Sequence, residues 1–181
     1  MTAHLVGLVA PQGAGKDTFA GYLSDQGFAW AAFAQPIRNM LCELFCTNLA
    51  GLEDLKRSEI AIPGLGPRTY RYIAQTLGTE WGRKMVHPDI WVNWLEEHIY
   101  DPDEDLVISD VRMQNEAAWI KSKGGILVSI ERPGSTWKHD HASEFGHLIR
   151  TDYTIYNDDS LAVLQERAES FATLLRAKER Q

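Results

Sequence analysis

The segment Ala10-Pro11-Gln12-Gly13-Ala14-Gly15-Lys16-Asp17-Thr18 constrains the chain more than any other, because of what stands on either side of it. An apolar run, Leu5 to Val9, precedes it, and a run with helical spacing, Phe19 to Leu23, follows it. Strand, glycine-rich loop and helix in that order make the first βα unit of an α/β fold. Gly13 and Gly15 permit positive φ, so successive backbone N–H groups can close on an anion. Lys16 adds a point charge, and the helix offers the positive end of its dipole. A loop of this kind binds the β- and γ-phosphates of a nucleotide. The segment departs from the strict G-x-x-x-x-G-K-[ST] pattern at two places. Ala10 stands where the first glycine belongs and Asp17 where the hydroxyl belongs, while Thr18 supplies a hydroxyl one position later.

With 181 residues, 44% of them hydrophobic, the chain reads as one domain (1–181) able to bury a sizeable core, with room for a helical insertion. No apolar stretch approaches the roughly 20 residues of a membrane span, and the N-terminus lacks a basic start and a cleavable apolar run. A cytoplasmic protein is therefore expected. Cys42 and Cys46, four apart in a helical pattern, have no second pair to complete a metal site and read as reduced core or interface residues. The net charge of −7 argues against a nucleic-acid polymer or an anionic membrane as main partner. It hides an asymmetry. Residues 56–84 carry Lys56, Arg57, Arg68, Arg71, Arg83 and Lys84 against only Glu59 and Glu80, whereas residues 85–111 have acidic side chains and no Lys or Arg. The acidic set reads as a solvated face. The arginines suit bidentate grip on a small phosphate.

Further strands are expected at Phe28 to Phe33, Leu106 to Ser109, Ile126 to Ile130 and Asp152 to Tyr156, alternating with helices. Five strands in that pattern imply a parallel sheet covered on both faces. Pro36 opens a helix carrying Arg38, which reads equally as a phosphate contact and as a surface arginine. Residues 51–67 read as loop, punctuated by Pro63-Gly64-Leu65-Gly66-Pro67. From Arg68 a helix is expected, with Tyr70, Ile73, Leu77 and Trp81 on one stripe and Arg68, Arg71, Gln75 and Thr79 on the opposite one; Gly78 and Gly82 bend it near its end. Two arginines and an amide on one face can hold a phosphate and a base edge. Trp91 and Trp94, on the next helix, read as core rather than as ligand-stacking residues.

Asp110 follows a buried strand and so emerges at the sheet edge that carries the glycine-rich loop. It can hold Mg²⁺ directly or through water, or cap the helix expected at 113–123, and Arg112 points near the same place. Residues 132–150, with Arg132, His139, His141, Glu144 and His147, are polar enough for a mobile cover. The histidine spacing there matches no familiar metal framework. A phosphate loop and a separate cationic helix face together suggest one ligand that delivers a phosphoryl group and one that accepts it. An acceptor that is itself a phosphate needs no general base, since its second pKa of about 6 leaves it largely dianionic.

Gly13-Ala14-Gly15-Lys16-Asp17-Thr18 resembles the phosphate loop of nucleoside monophosphate kinases, which place threonine second after the lysine. Arg68 to Arg83 (RTYRYIAQTLGTEWGR), Ile108 to Glu116 (ISDVRMQNE) and His141 to Glu144 (HASE) narrow the resemblance to the phage-type, T-even-like, deoxynucleoside monophosphate kinases, and Ile155-Tyr156-Asn157-Asp158 is in keeping with it. It covers most of the chain. It implies a P-loop kinase three-layer sandwich with a helical acceptor-binding region at about 36–100 and a lid at about 132–150. It also implies conversion of a deoxynucleoside monophosphate to its diphosphate with ATP and Mg²⁺, a homodimer, and host cytoplasm for a phage-encoded chain. Gly13, Ala14, Gly15, Lys16, Asp17, Thr18 and Asn157 then go to ATP and magnesium, with Asp17, Thr18 and Asp110 as the metal-facing oxygens. Arg38, Arg68, Arg71, Gln75, Arg83, Trp91 and Glu144 go to the acceptor, and Lys16, Arg68, Asp110, Arg112 and Arg132 to the reaction centre. The rival readings are another small-metabolite kinase, similar to dephospho-coenzyme A kinases, and a nucleotide-binding switch or ATPase. No guanine-reading N-K-x-D motif supports the latter.

Overall fold

In a computed structural model of the chain, residues 3–58, 60–137 and 146–178 are described. They divide into two compact units, one formed by Met1–Ala32 and Leu95–Gln181 and the other by Phe33–Trp94. The first unit holds all five strands: β1 (Leu5–Val9), β2 (Ala29–Ala31), β3 (Leu106–Ile108), β4 (Ile126–Glu131) and β5 (Tyr153–Tyr156). Every pairing is parallel and the order is β2-β3-β1-β4-β5. All five strands fall where the apolar runs predict them.

Side-chain alternation along the strands decides which helices cover which face. Val6 and Leu8 of β1, Val107 of β3, and Val128 and Ile130 of β4 pack with Phe19 and Leu23 of α1 (Lys16–Asp25). Leu164, Ala168, Phe171 and Leu175 of α7 (Leu161–Lys178) complete that cluster. The intervening Gly7 points the other way, where Ile120 of α6 (Gln114–Ser122) and Leu127 crowd it. The sheet is thus the middle layer of three. Ser160 caps α7, its Oγ accepting from the Val163 N–H at 3.3 Å.

The second unit is helical. It contains α2 (Gln35–Leu44), α3 (Leu49–Ser58), α4 (Tyr70–Gln75), a π-helix (Thr76–Val86) and the first part of α5 (Ile90–His98). Its core gathers Leu41, Leu52, Ile62 and Tyr70, with Ile37, Leu55, Ile73 and Leu77 against them. Three sequence expectations need correction here. Residues 51–67 are not all loop, since α3 occupies Leu49–Ser58. Its signal is thin, only Leu52 and Leu55 facing the core, and Asn48 starts it by accepting from the Gly51 N–H at 3.0 Å. The Pro63–Pro67 stretch does make a tight return, with Ile62 N–H bonded to the Arg68 carbonyl at 2.7 Å.

The helix expected from Arg68 begins instead at Tyr70, with Thr69 as its N-cap, and changes to π register at Thr76. The 3.6-residue stripe holds through Leu77 and fails beyond it: Thr79 is buried and Trp81 exposed, the reverse of the expected faces. Cys42 is half-buried, but Cys46 is exposed, lying just past the end of α2 with φ 48°. Cys46 is thus not a core residue. Both thiols are free.

Candidate active site

The strand order reverses at β1, whose neighbours are β3 and β4, and in open parallel sheets ligands sit beyond the carboxyl ends of strands at such a point. The chain leaves β1 into Ala10 to Thr18. Gly13 and Gly15 take φ of 82° and 95°, left-handed values that residues with a Cβ rarely adopt. Gly15 is the N-cap of α1, and no side chain caps that helix. The amides at its start are the orphan donors of a helix end, and here they face a loop built to carry an anion.

Two residues from other strand ends hold this loop. Asn157, buried just after β5, donates from Nδ2 to the Ala14 carbonyl at 2.8 Å, and its own N–H bonds to the Glu131 carbonyl at 2.7 Å. A Cβ on Gly15 would fall 2.3 Å from that Nδ2 atom. Gly15 is thus required twice, by its φ and by its neighbour. Arg132, just after β4, donates from Nη1 to the Gly13 carbonyl at 3.3 Å. Lys16 Nζ lies 2.6 Å from Asp17 Oδ1, so an ammonium group partners the carboxylate that the loop pattern does not call for.

Asp110 follows β3 and is 6% exposed. The next amide, Val111 N–H, bonds to the Leu8 carbonyl at 3.2 Å, which stitches this turn to β1 beside the phosphate loop. Arg112 is held through its backbone. Glu116, 2% exposed, accepts at Oε2 from the N–H groups of Arg112 at 2.7 Å and Met113 at 3.0 Å. This carboxylate closes the start of α6, the task that the sequence offers to Asp110. The sequence signal for it was incomplete. A capping box pairs Glu with a Ser or Thr three residues earlier, and here that position is Met113.

Thus Gly13, Ala14, Gly15, Lys16, Asp17, Thr18, Asp110, Arg112, Arg132 and Asn157 all lie in the first unit, on segments that follow strand carboxyl ends. Arg38, Arg68, Arg71, Gln75, Arg83 and Trp91 lie in the second. There Arg68 precedes α4 and stacks on the Tyr72 ring at 4.2 Å. Burial pushes the Tyr70 hydroxyl above its ordinary pKa, opposed by the charge of Arg38. Trp91 is a buried residue with its indole N–H bonded inside the protein, at Gly78. Glu144, His139 and His141 lie outside the described residues, as do all of residues 138–145 of the expected lid.

Among the described residues no group of three or more His, Cys, Asp or Glu side chains could hold a metal. Asp17, Thr18 and Asp110, on the segments after β1 and β3, are the oxygen side chains there, too few for an all-protein cage but of the kind that suits Mg²⁺, which keeps several waters and takes one or two carboxylates beside substrate phosphates.

A parallel five-stranded sheet with a phosphate loop after β1 is the architecture of P-loop kinases. The dephospho-CoA kinase of Campylobacter jejuni superposes with a TM-score of 0.52 at 17% identity, covering 94% of this chain and 96% of that one. Residues 65–168 match the family model for deoxynucleotide monophosphate kinase. A putative deoxynucleotide monophosphate kinase of Acanthamoeba polyphaga mimivirus is 34% identical over 157 residues, 77% of this chain and 80% of the relative. The deoxynucleoside-5'-monophosphate kinase of Escherichia phage T5 is 38% identical over 84 residues, 42% of this chain and 34% of that longer protein. The chain belongs to the deoxynucleotide monophosphate kinase family and is a kinase, as the resemblance of its four sequence blocks implies.

Proposed function

We propose that the chain moves the γ-phosphoryl group of ATP onto the phosphate of a deoxynucleoside 5'-monophosphate, giving ADP and the deoxynucleoside diphosphate. The observation that carries this reading is the uncapped start of α1 behind two left-handed glycines, a seat for the donor's phosphates. The family relatives' names supply the acceptor class. In the transfer, an oxygen of the acceptor phosphate forms a bond to the γ-phosphorus as the bond to the bridging β–γ oxygen breaks, and ADP leaves with that electron pair.

Positioning and charge neutralisation dominate such a reaction. The loop amides and Lys16 hold the β- and γ-phosphates. Arg132, already against the loop at Gly13, turns its guanidinium to the transferring group. Arg112 neutralises charge from the β3 side, its backbone fixed by Glu116. Arg68, Arg71, Gln75, Arg83 and Arg38 receive the acceptor phosphate and base, and Trp91 supports the π-helix that follows Gln75 and carries Arg83. Thr18, Asp17 and Asp110 would hold Mg²⁺ directly or through its waters, and the ion would supply neutralisation of the donor's phosphate charge. No side chain needs to take a proton, because the acceptor is a dianion at neutral pH.

Incubating the protein with ATP, Mg²⁺ and each common deoxy- and ribonucleoside monophosphate in turn tests the proposal. Diphosphate formation from one or more deoxynucleotides is expected. ATP hydrolysis with no acceptor-stimulated transfer would point to a nucleotide-driven switch instead.

A further inference from the structure

The segment Gln75-Thr76-Leu77-Gly78-Thr79-Glu80 runs into a π-helix of 11 residues. π turns, with their i→i+5 bonds, usually occur singly inside α-helices and frequently at functional sites. A longer run needs something outside it to hold the wider register. His87 N–H reaches the Gly82 carbonyl at 3.0 Å, a spacing of five residues. The register also explains the exchange of faces, with Thr79 at 6% exposure turned inward and Trp81 at 40% turned outward.

Trp91 supplies the outside support. It is 3% exposed, and its Nε1–H donates to the Gly78 carbonyl at 2.8 Å, a bond from α5 into the π-helix. Its ring lies against Gly82, where an added Cβ would stand 2.4 Å from Cζ2 and 2.9 Å from Cε2. One side chain therefore grips the π-helix at two glycines four apart, once by a hydrogen bond and once by contact. The grip falls between Gln75, just before the π-helix, and Arg83, just after the second glycine. Arg83 closes the segment that leads back to Trp91 by donating from Nη1 to the Pro88 carbonyl at 3.4 Å.

We propose that Trp91 is a positioning residue for the acceptor nucleotide: it locks the π register of Thr76–Val86 and thereby sets where Gln75 and Arg83 stand relative to each other. The inference rests on the reading that this helix carries the acceptor. It assigns Trp91 a role through the helix backbone and no contact with the nucleotide.

Steady-state kinetics on the full chain, with each substrate varied in turn, separates this role from simple core packing. Trp91→Phe keeps the ring and removes the donor; Gly82→Ala drives a Cβ into the ring; Leu52→Val thins the core of the same unit without altering the grip. Loss of one buried hydrogen bond that orders the site is expected to raise KM for the monophosphate about tenfold in Trp91→Phe, with KM for ATP within about twofold of the unaltered protein. Gly82→Ala is expected to show the same split, and carries the comparison by itself should Trp91→Phe not fold. Leu52→Val is expected to lower the thermal midpoint and leave both KM values in place.

A folded Trp91→Phe variant with unchanged KM for the monophosphate overturns the proposal. So does a Leu52→Val variant that raises it equally. If the unaltered protein phosphorylates no monophosphate, the functional reading fails first and this inference with it. Turnover by the unaltered protein with no split in the variants sinks the inference alone.

Discussion

Gly15 and Asn157 show how closely the phosphate loop is built around single atoms. Gly15→Ala must place a Cβ at φ 95° and 2.3 Å from the Asn157 amide nitrogen. The left-handed conformation alone costs about 1–2 kcal/mol, and relief of the clash frees Ala14 from its side-chain donor. Turnover with ATP is expected to fall by more than about tenfold, a loss of 1.4 kcal/mol or more in effective binding or activation. Asn157→Ala removes the hold on Ala14 without the strain, so a smaller rise in KM for ATP, about fivefold, is expected from the loss of one buried hydrogen bond. Initial-rate measurements with ATP varied check both. Asp17 is a different kind of test. A carboxylate beside phosphates is repulsive unless a cation stands between them, and Lys16 is that cation in the structure. If Asp17 faces Mg²⁺ or its waters once the nucleotide is seated, Asp17→Asn shifts the magnesium dependence of turnover to higher concentration. An unchanged magnesium titration would remove Asp17 from the metal's surroundings.

Among the elements, β5 pairs with β4 along its backbone, and one carboxylate just before it adds a tie to both β4 and α6. Asp152 Oδ2 accepts from the Leu127 N–H at 2.8 Å and lies 2.9 Å from Lys121 Nζ. Burial pushes the Asp152 carboxyl up, but the Leu127 N–H and the Lys121 ammonium outweigh it and hold the group below its ordinary value. A carboxyl with a depressed folded-state pKa stabilises the fold at pH above its unfolded value and loses that contribution as pH falls through the folded one. Asp152→Asn is therefore expected to lower stability at neutral pH, with the difference from the unaltered protein closing as pH drops below the usual carboxylate range. Denaturant melts across that range check the sign. A gap that stayed constant with pH would mean that shape, and not charge, holds this edge. The helices tell a complementary story. Pro36 made the start of α2 readable from the sequence, whereas α3, with two core-facing leucines, forms where the cluster around Leu41 and Tyr70 gives it something to pack against. Propensity is a weak prior, and tertiary contact overrides it.

For the molecule as a whole, the functional proposal requires two ligands with separate seats, ATP on the unit of the sheet and the monophosphate on the helical unit. Anything that binds only the folded state stabilises it by mass action, about 2.7 kcal/mol at a hundredfold excess over Kd. ATP with Mg²⁺ and a deoxynucleoside monophosphate are each expected to raise the thermal midpoint when added alone. A monophosphate that stabilises only in the presence of the donor would contradict two preformed seats. Among the described residues no helix is long and apolar enough to cross a membrane, and the expected homodimer is a matter for sedimentation with the full chain. The sequence by itself determined the five strands, the phosphate loop, the emergence of Asp110 at the sheet's carboxyl edge and the family, because each is written in a local pattern: an apolar run, a pair of glycines, a short motif. Tertiary structure alone decided that Glu116 closes the start of α6, that Asn157 buttresses Ala14, and that the helix after Gln75 widens to a π-helix under Trp91. The physical reason is the same in each case. These features depend on one hydrogen-bonding partner meeting another from a separate turn or strand, and a spacing read along a single element does not contain that meeting.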